Sequence, residues 1–455
     1  MELKEFEQWL NSFLNFEKLP QKNIFWLDTM EHFSKNLNNP ELSCPAFHVA
    51  GSKGKGSTSA FIASILEEAG LKTGLYTSPH ILTFLERITR NQQLLSTKIY
   101  EEAADILVKT ITSETEKNYL KDRPITWFEL VTLYSFLCFR QAKLDAAVFE
   151  VGLGGRLDAT NVIKPLVSCI GPIELEHTEY LGDTVEKIAA EKGGIIKENT
   201  PAIIANQSPS VKAVFKQIAK EKNAPVFFTD EICTVECAQN YKYSEKFSSL
   251  TMKTKITSSV FSRPLTQELR LTGDFQAQNA ALAAIAVKKA FPELSEEIIE
   301  KGLSKAFLPG RFEVIKNPAG FNKIPLLILD GAHTPRSVAF TMDTLKKLKK
   351  SFNLSCDFNL LFACAADKDA KDIAPLFKGQ FKKIYLTKPG NVKQSDIKGL
   401  EAAFKKAEIP YNLNEDFSEQ IKKALKESEE TNSLLLVTGS FYLVSEVKKY
   451  LLEQK

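Results

Sequence analysis

The sequence predicts an α/β protein made of two successive α/β units, and three observations carry this. Short apolar runs alternate with helical patterns along most of the 455 residues, the arrangement of a largely parallel sheet. A loop rich in glycine and lysine (GSKGKGS, residues 51–57) joins the first of these runs to the first strong helix. A Pro-Gly interruption (FLPGRFEV, residues 307–314) divides the series. The expected units are residues 1–308 and 309–455.

In the first unit, PAFHVAG (45–51) is a strand closed by glycine, and STSAFIASILEEAG (57–70) repeats apolar residues at helical spacing until Gly70. TGLYTS (73–78) reads as a strand and TWFELVTLYSFLCFRQA (126–142) as a long buried helix. DAAVFEVG (145–152), VSCIGPI (167–173), PAIIAN (201–206) and PVFFTD (225–230) are further strands. Between 231 and 272 Thr, Ser, Tyr and Val mix with charges and helical periodicity disappears, which predicts a small antiparallel β patch. FQAQNAALAAIAVKKAF (275–291) is an Ala-rich helix. In the second unit four buried strands are expected at 325–331, 358–365, 382–387 and 433–440, with helices between them. No internal repeat or low-complexity tract interrupts either unit.

Composition narrows the function classes. At 44% hydrophobic the chain can bury sizeable cores, and a net charge of +3 makes no electrostatic case for nucleic acid or a membrane surface. The N-terminus (MELKEFEQWLNSFL) spreads acids through an amphipathic pattern, unlike a secretory signal. No run approaches the ~18 apolar residues of a membrane span. Seven cysteines, mostly inside apolar runs, suit buried thiols in a reducing cytoplasm. Cys233 and Cys237 lack the histidines or second cysteine pair of a zinc site.

The chemistry centres on the loop. A helix N-terminus offers unpaired N–H groups and partial positive charge to phosphate. Gly54 and Gly56 allow close backbone approach, Lys55 adds a full charge, and Ser57 supplies a hydroxyl one residue later than the strict phosphate-loop pattern requires. A glycine-rich turn without a ligand is the alternative. Glu150 ends an apolar strand, where ligands of open α/β sheets bind. A carboxylate there needs a partner, either Mg²⁺ bridging phosphates or Arg156. Ser78 is a hydroxyl at a strand end and a candidate Mg²⁺ ligand. His80 and His177 each follow a strand, in TSPHILTFLERI and ELEHTEYLGDT; alone, either reads more readily as an ordinary loop histidine. Arg311 at the junction, with Asp330 and His333 just past a strand, fits a nucleotide clamp or an interdomain salt bridge.

Together, HVAGSKGKGS, TSPHILTFLERI, FEVGLGGRLDATN, LEHTEYLGDT, AEKGGIIK, GDFQAQNAALA, LPGRFE and LDGAHTP resemble the folylpolyglutamate synthase family, including its dihydrofolate synthase form, within the Mur ligase superfamily. The resemblance covers nearly the whole chain. It implies a P-loop Mur-ligase-like ATPase domain with the β patch, followed by a Rossmann-like α/β domain. It assigns ATP contacts to Gly54, Lys55, Gly56, Ser57, Asn279, Arg311 and Asp330, and Mg²⁺ ligation to Ser78, Glu150 and His177. Lys192 matches a lysine that is carbamylated in the family and positions a second metal, and His333 matches the histidine beside the acyl-phosphate site. His80, Thr126, Leu157, Asp158 and Ala159 fall on the substrate side.

The implied reaction adds L-glutamate to a dihydropteroate or folate carboxylate with ATP and two Mg²⁺ ions, by a cytoplasmic monomer with small-molecule partners. A Mur-type ligase of peptidoglycan precursors and a non-catalytic nucleotide-binding protein are the alternatives. The sequence departs from the family's usual GTNGKGS at Ser52 and Lys53, from Asp at Glu176, from Asn at Thr334, and from Lys-Ala-Gly at Lys192-Gly193-Gly194.

Overall fold

The computed structural model describes residues 1–15, 27–116 and 124–454. Eight strands form the first sheet: β1 (Ala46–Ala50), β2 (Thr73–Tyr76), β3 (Ile88–Arg90), β4 (Gln93–Leu94), β5 (Ala146–Glu150), β6 (Pro165–Ile170), β7 (Ala202–Ile204) and β8 (Val226–Phe228). Their order is β4-β3-β2-β5-β1-β6-β7-β8. The six strands from β2 to β8 in this order are parallel, while β3 and β4 pair antiparallel at one edge. All five residues of β1 and of β5 are buried because both sheet faces are covered. Alternate side chains serve different cores: Phe47, Val49 and Val148 join one, and Ala46, Ala147 and Phe149 the other.

The first of these cores is sealed by three helices, Lys55–Glu68, Asp274–Ala290 and Glu296–Lys305. Alanines 280, 281, 283, 284 and 286 are fully buried, which shows why the Ala-rich pattern belongs to a central helix. Gly302 permits the closest approach: a Cβ there would lie 2.4 Å from Ile65 Cα. The helix expected to start at residue 57 starts at Lys55, because Gly54 takes the left-handed conformation as its N-cap.

The β patch is a three-stranded antiparallel sheet, β9 (Cys233–Ser244), β10 (Ser249–Ser258) and β11 (Leu265–Leu269), in the order β11-β10-β9. A third sheet holds β12 (Glu313–Lys316), β13 (Leu326–Leu329), β14 (Phe358–Phe362), β15 (Lys383–Leu386), β16 (Asn412–Leu413) and β17 (Leu434–Thr438). Its order is β12-β13-β17-β14-β15-β16, parallel except for β12. The four expected strands are its centre; the short edges β12 and β16 were not legible.

The sheets meet across a cleft. Phe275 stacks on Phe340 with ring centres 5.1 Å apart. Lys347 pairs with Asp274 at 2.8 Å, Arg336 with Glu174 at 3.0 Å, and Ser445 Oγ donates to Ile81 O at 2.5 Å. Among the described residues no helix is long and apolar enough to cross a membrane.

Candidate active site

The cleft has a volume of about 1610 Å³ and is lined from both sides. It opens beyond the carboxyl ends of β1, β5 and β6, next to the point where strand order reverses. Gly51 and Gly54 have positive φ (+142° and +80°), turning the chain sharply from β1 into the helix. Side chains would not fit there: a Cβ on Gly54 would lie 2.3 Å from Asn279 Oδ1, and one on Gly51 would lie 2.9 Å from Gly171 Cα. Asn279 therefore packs directly on the loop, its amide fixed by Gln276 at 3.0 Å. Lys55 Nζ donates to Gly51 O at 2.9 Å, curled across the loop it would open to hold phosphate. Gly56 and Ser57 begin the helix and line the same wall.

Glu150 ends β5 inside this wall. It is buried, and its Oε2 accepts from the Ser78 backbone N–H at 2.9 Å. Burial pushes its carboxyl up, opposed by Lys55, by that N–H and by Arg311. Arg156, the alternative partner, instead pairs with Glu191 at 2.8 Å. His177 caps a short helix, Thr178–Leu181, in the left-handed conformation. Burial lowers its pKa to about 4 despite Glu176, so its imidazole is neutral and competent to ligate. Among the described residues no three His, Cys, Asp or Glu side chains cluster as a metal cage. A Mg²⁺ ion on bound phosphate needs only one or two protein ligands, its shell being filled by phosphate and water. The incompletely neutralised Glu150 beside Ser78 fits such an ion.

Lys192 is buried and donates to Glu176 Oε1 at 3.0 Å. Burial, then Lys55, bring its pKa down to about 8. Glu176 also faces Lys53, with Nζ at 3.6 Å from Oε2. Burial works against the Glu176 charge, yet Lys192, Lys55 and Lys53 hold its pKa down at about 2.

The opposite wall comes from the third sheet. Arg311 lies over the Phe441 ring at 4.1 Å, and its charge is felt by both Glu150 and Asp330. Asp330 accepts from Ala332 N at 2.8 Å and Thr341 Oγ1 at 3.1 Å, and burial raises its pKa to about 6. His333 Nδ1 lies 2.8 Å from Gly331 O, so Nδ1 carries the proton and Nε2 the lone pair. Burial, with Lys368 next, lowers its pKa to about 4.

The substrate-side residues divide. Thr126, Leu157, Asp158 and Ala159 line the cleft. Thr126 caps its helix reciprocally with Glu129. His80 is not among the lining residues, and its Nδ1 accepts from Arg87 Nε at 2.9 Å. Asp158 is saturated internally: Oδ2 accepts from Gly152 N and Leu153 N at 3.0 and 2.9 Å, and Oδ1 from Thr160 N and Oγ1 at 3.0 and 2.5 Å. It shapes the 152–159 loop rather than offering free oxygens. His48 lies beneath, its Nε2 at 2.8 Å from Thr160 Oγ1. Thr160 gives its one hydroxyl proton to Asp158, so His48 Nε2 must donate, and Nδ1 is the buried nitrogen without a partner. Sequence reasoning missed Arg336, Lys368 and Phe441, which line the cleft from loops and helix starts after the strands of the third sheet.

Residues 49–287 match the Mur ligase middle domain, and residues 310–441 the Mur ligase glutamate ligase domain. The chain is 32% identical to the dihydrofolate synthase/folylpolyglutamate synthase of Bacillus subtilis, over 97% of each chain. It is 30% identical to the folylpolyglutamate synthase of Lacticaseibacillus casei over 92% of each. The solved apo form of the L. casei enzyme superposes with a TM-score of 0.82 at 26% identity, over 99% of this chain and 100% of that one. An FPGS–AMPPCP–folate complex superposes at 0.80 and 27% identity, with the same coverage. The chain belongs to the folylpolyglutamate synthase/dihydrofolate synthase family of Mur ligases.

Proposed function

We propose that this chain is an ATP-dependent ligase that joins L-glutamate to the carboxylate of a folate, of dihydropteroate, or of both. The observation that carries the reading is the two-walled cleft: a phosphate loop with Lys55 and Glu150 faces Arg311, Asp330 and His333 across one cavity. Relatives of this length and plan are named for folate enzymes, which favours them over ligases of peptidoglycan precursors. The working division is residues 1–308 for ATP and 309–455 for glutamate, in a cytoplasmic monomer.

A carboxylate is a poor acylating group until its oxygen is made a leaving group. An oxygen of the folate carboxylate attacks the γ-phosphorus of ATP, the bond to the bridging oxygen breaks, and ADP leaves with the electron pair. The glutamate amine then adds to the acyl carbon, loses a proton, and the carbon–oxygen bond to phosphate breaks. The protein's task is alignment and charge neutralisation. Lys55 and Arg311 supply cationic charge to the moving phosphoryl. Neutral His333 orients the amine by accepting an N–H at Nε2. Closure of the two walls keeps water from the acyl phosphate.

Ser78, Glu150 and His177 would hold Mg²⁺, which supplies further positive charge to the phosphate oxygens. Two ions and a carbamate on Lys192 complete the reading. A pKa near 8 supports the carbamate, since neutral amine is available to carbon dioxide near neutrality. The resulting anion would lie against Glu176 and would need the metal's charge. Gly54, Gly56, Ser57 and Asn279 contact ATP, with Asp330 beside it; Thr126, Leu157 and Ala159 meet the pterin side, and Asp158 and His80 position loops there. The test is ADP release with ATP, Mg²⁺ and glutamate, comparing dihydropteroate with tetrahydrofolate. No release above background with either acceptor rejects the function.

A further inference from the structure

We propose that Lys53 is a further phosphate-contacting residue, whose ammonium binds the terminal phosphoryl oxygens of the bound triphosphate; this rests on the ATP-ligase reading above. Lys53 stands where the phosphate loop departs from the family's usual asparagine, and its surroundings fix it there. Ser52 staples the loop to the next one: its N–H donates to Pro172 O at 2.9 Å, and its Oγ accepts from Glu174 N at 3.0 Å. The Lys53 carbonyl presses on Gly171, where a Cβ would meet it at 2.4 Å. The side chain therefore starts from an anchored backbone, lines the cleft, and stays 26% exposed.

Its ammonium is held by an ion pair alone, and while Lys192 is an amine Lys53 is the looser of the two cations facing Glu176. Glu176 is already met at 3.0 Å by Lys192, as its amine, while Lys53 stands off at 3.6 Å, an ion pair without a direct hydrogen bond. Glu174, the next acid, is taken by Arg336 at 3.0 Å. Two ammonium groups thus share one carboxylate beside a helix N-terminus built for phosphate. Lys53 is also near enough that its charge contributes to holding His333 neutral on the opposite wall. Lys53 and His333 line the same cleft, Lys53 on the phosphate-loop wall and His333 on the wall opposite. Lys55, by contrast, reaches back over the loop to Gly51 O. One lysine can hold the phosphate chain while the other follows its end.

The test compares the non-hydrolysable ATP analogue AMPPCP with ADP, by calorimetric titration, with Mg²⁺ and with EDTA. Proteins are the wild type, Lys53→Asn and Lys53→Arg. A charge-assisted contact predicts that Lys53→Asn weakens AMPPCP about tenfold or more. ADP affinity stays unchanged, the loss is larger in EDTA, and arginine restores most of it. Unchanged ADP binding also shows that the variant's loop is folded. Equal loss of both nucleotides, or no loss of either, overturns the proposal and leaves Lys53 as a counter-charge to Glu176. Wild type that binds neither nucleotide would instead reject the ligase reading beneath it.

Discussion

Thr160→Val separates a loop-shaping role for the Asp158 network from a substrate-binding one. Valine keeps the volume but removes the hydroxyl that links Asp158 Oδ1 at 2.5 Å to His48 Nε2 at 2.8 Å. Loss of a hydrogen bond to a charged group costs about 1.5–3 kcal/mol. Leaving the buried His48 N–H unpaired costs about 1–3 kcal/mol more. The expected destabilisation is about 2.5–6 kcal/mol, large against the ~5–15 kcal/mol of a typical fold. Urea unfolding followed by circular dichroism reads the total. Amide hydrogen exchange at Gly152 and Leu153, both held by Asp158 Oδ2, reads the local effect and should accelerate. A cost under about 1 kcal/mol, the scale of an ordinary neutral hydrogen bond, together with unaltered exchange, would refute the network.

Four further outcomes are expected. Burial raises Asp330 from 3.8 to about 6, so between those pH values the folded state holds a proton that the unfolded state has released. Its contribution is complete below pH 3.8 and is lost as pH rises through about 6; Asp330→Asn should gain up to ~3 kcal/mol relative to wild type between pH 4 and 7. A flat difference in urea midpoints would contradict the burial. Lys55→Ala should weaken ATP at least about tenfold in fluorescence titration, and an unchanged Kd would remove Lys55 from the site. Gly171→Ala drives a Cβ to 2.4 Å from Lys53 O, so it should cost about 1–3 kcal/mol and raise the KM for ATP; normal values of both would show that the loop yields freely. Arg336→Ala breaks a pair whose arginine is 60% exposed, so melting should report a cost of no more than about 1 kcal/mol.

The central strands were legible because continuous apolar runs such as residues 146–149 can be buried on both faces only in a covered parallel sheet. Strands β3, β4, β12 and β16, at or next to the sheet edges, were not, since two to four residues carry too little pattern. The phosphate loop could be read from its glycines and lysines. The start of its helix was misplaced because Gly54, a poor helix former, makes a good left-handed cap. Glu150 and Asp330 could be picked out as polar residues at strand ends, and His177 as a histidine in the loop beyond β6. The internal saturation of Asp158 did not, because it depends on Thr160 and on His48, more than 100 residues away in sequence. Arg336 and Lys368 reach the cleft by tertiary placement, and nothing in their local sequence marks them.

The Phe275–Phe340 stack has a thermodynamic consequence. Phe275 opens the same helix that presents Asn279 to the phosphate loop, and Phe340 belongs to the helix that follows His333. If a nucleotide tilts the first helix, the stacked rings pass that tilt to the second. Coupling of this kind is reciprocal: the free energy by which ATP favours one arrangement of the cleft equals that by which the arrangement favours ATP. On that footing a ligand seated on the His333 side would change ATP affinity without touching ATP, by the same factor by which ATP changes the affinity of that ligand.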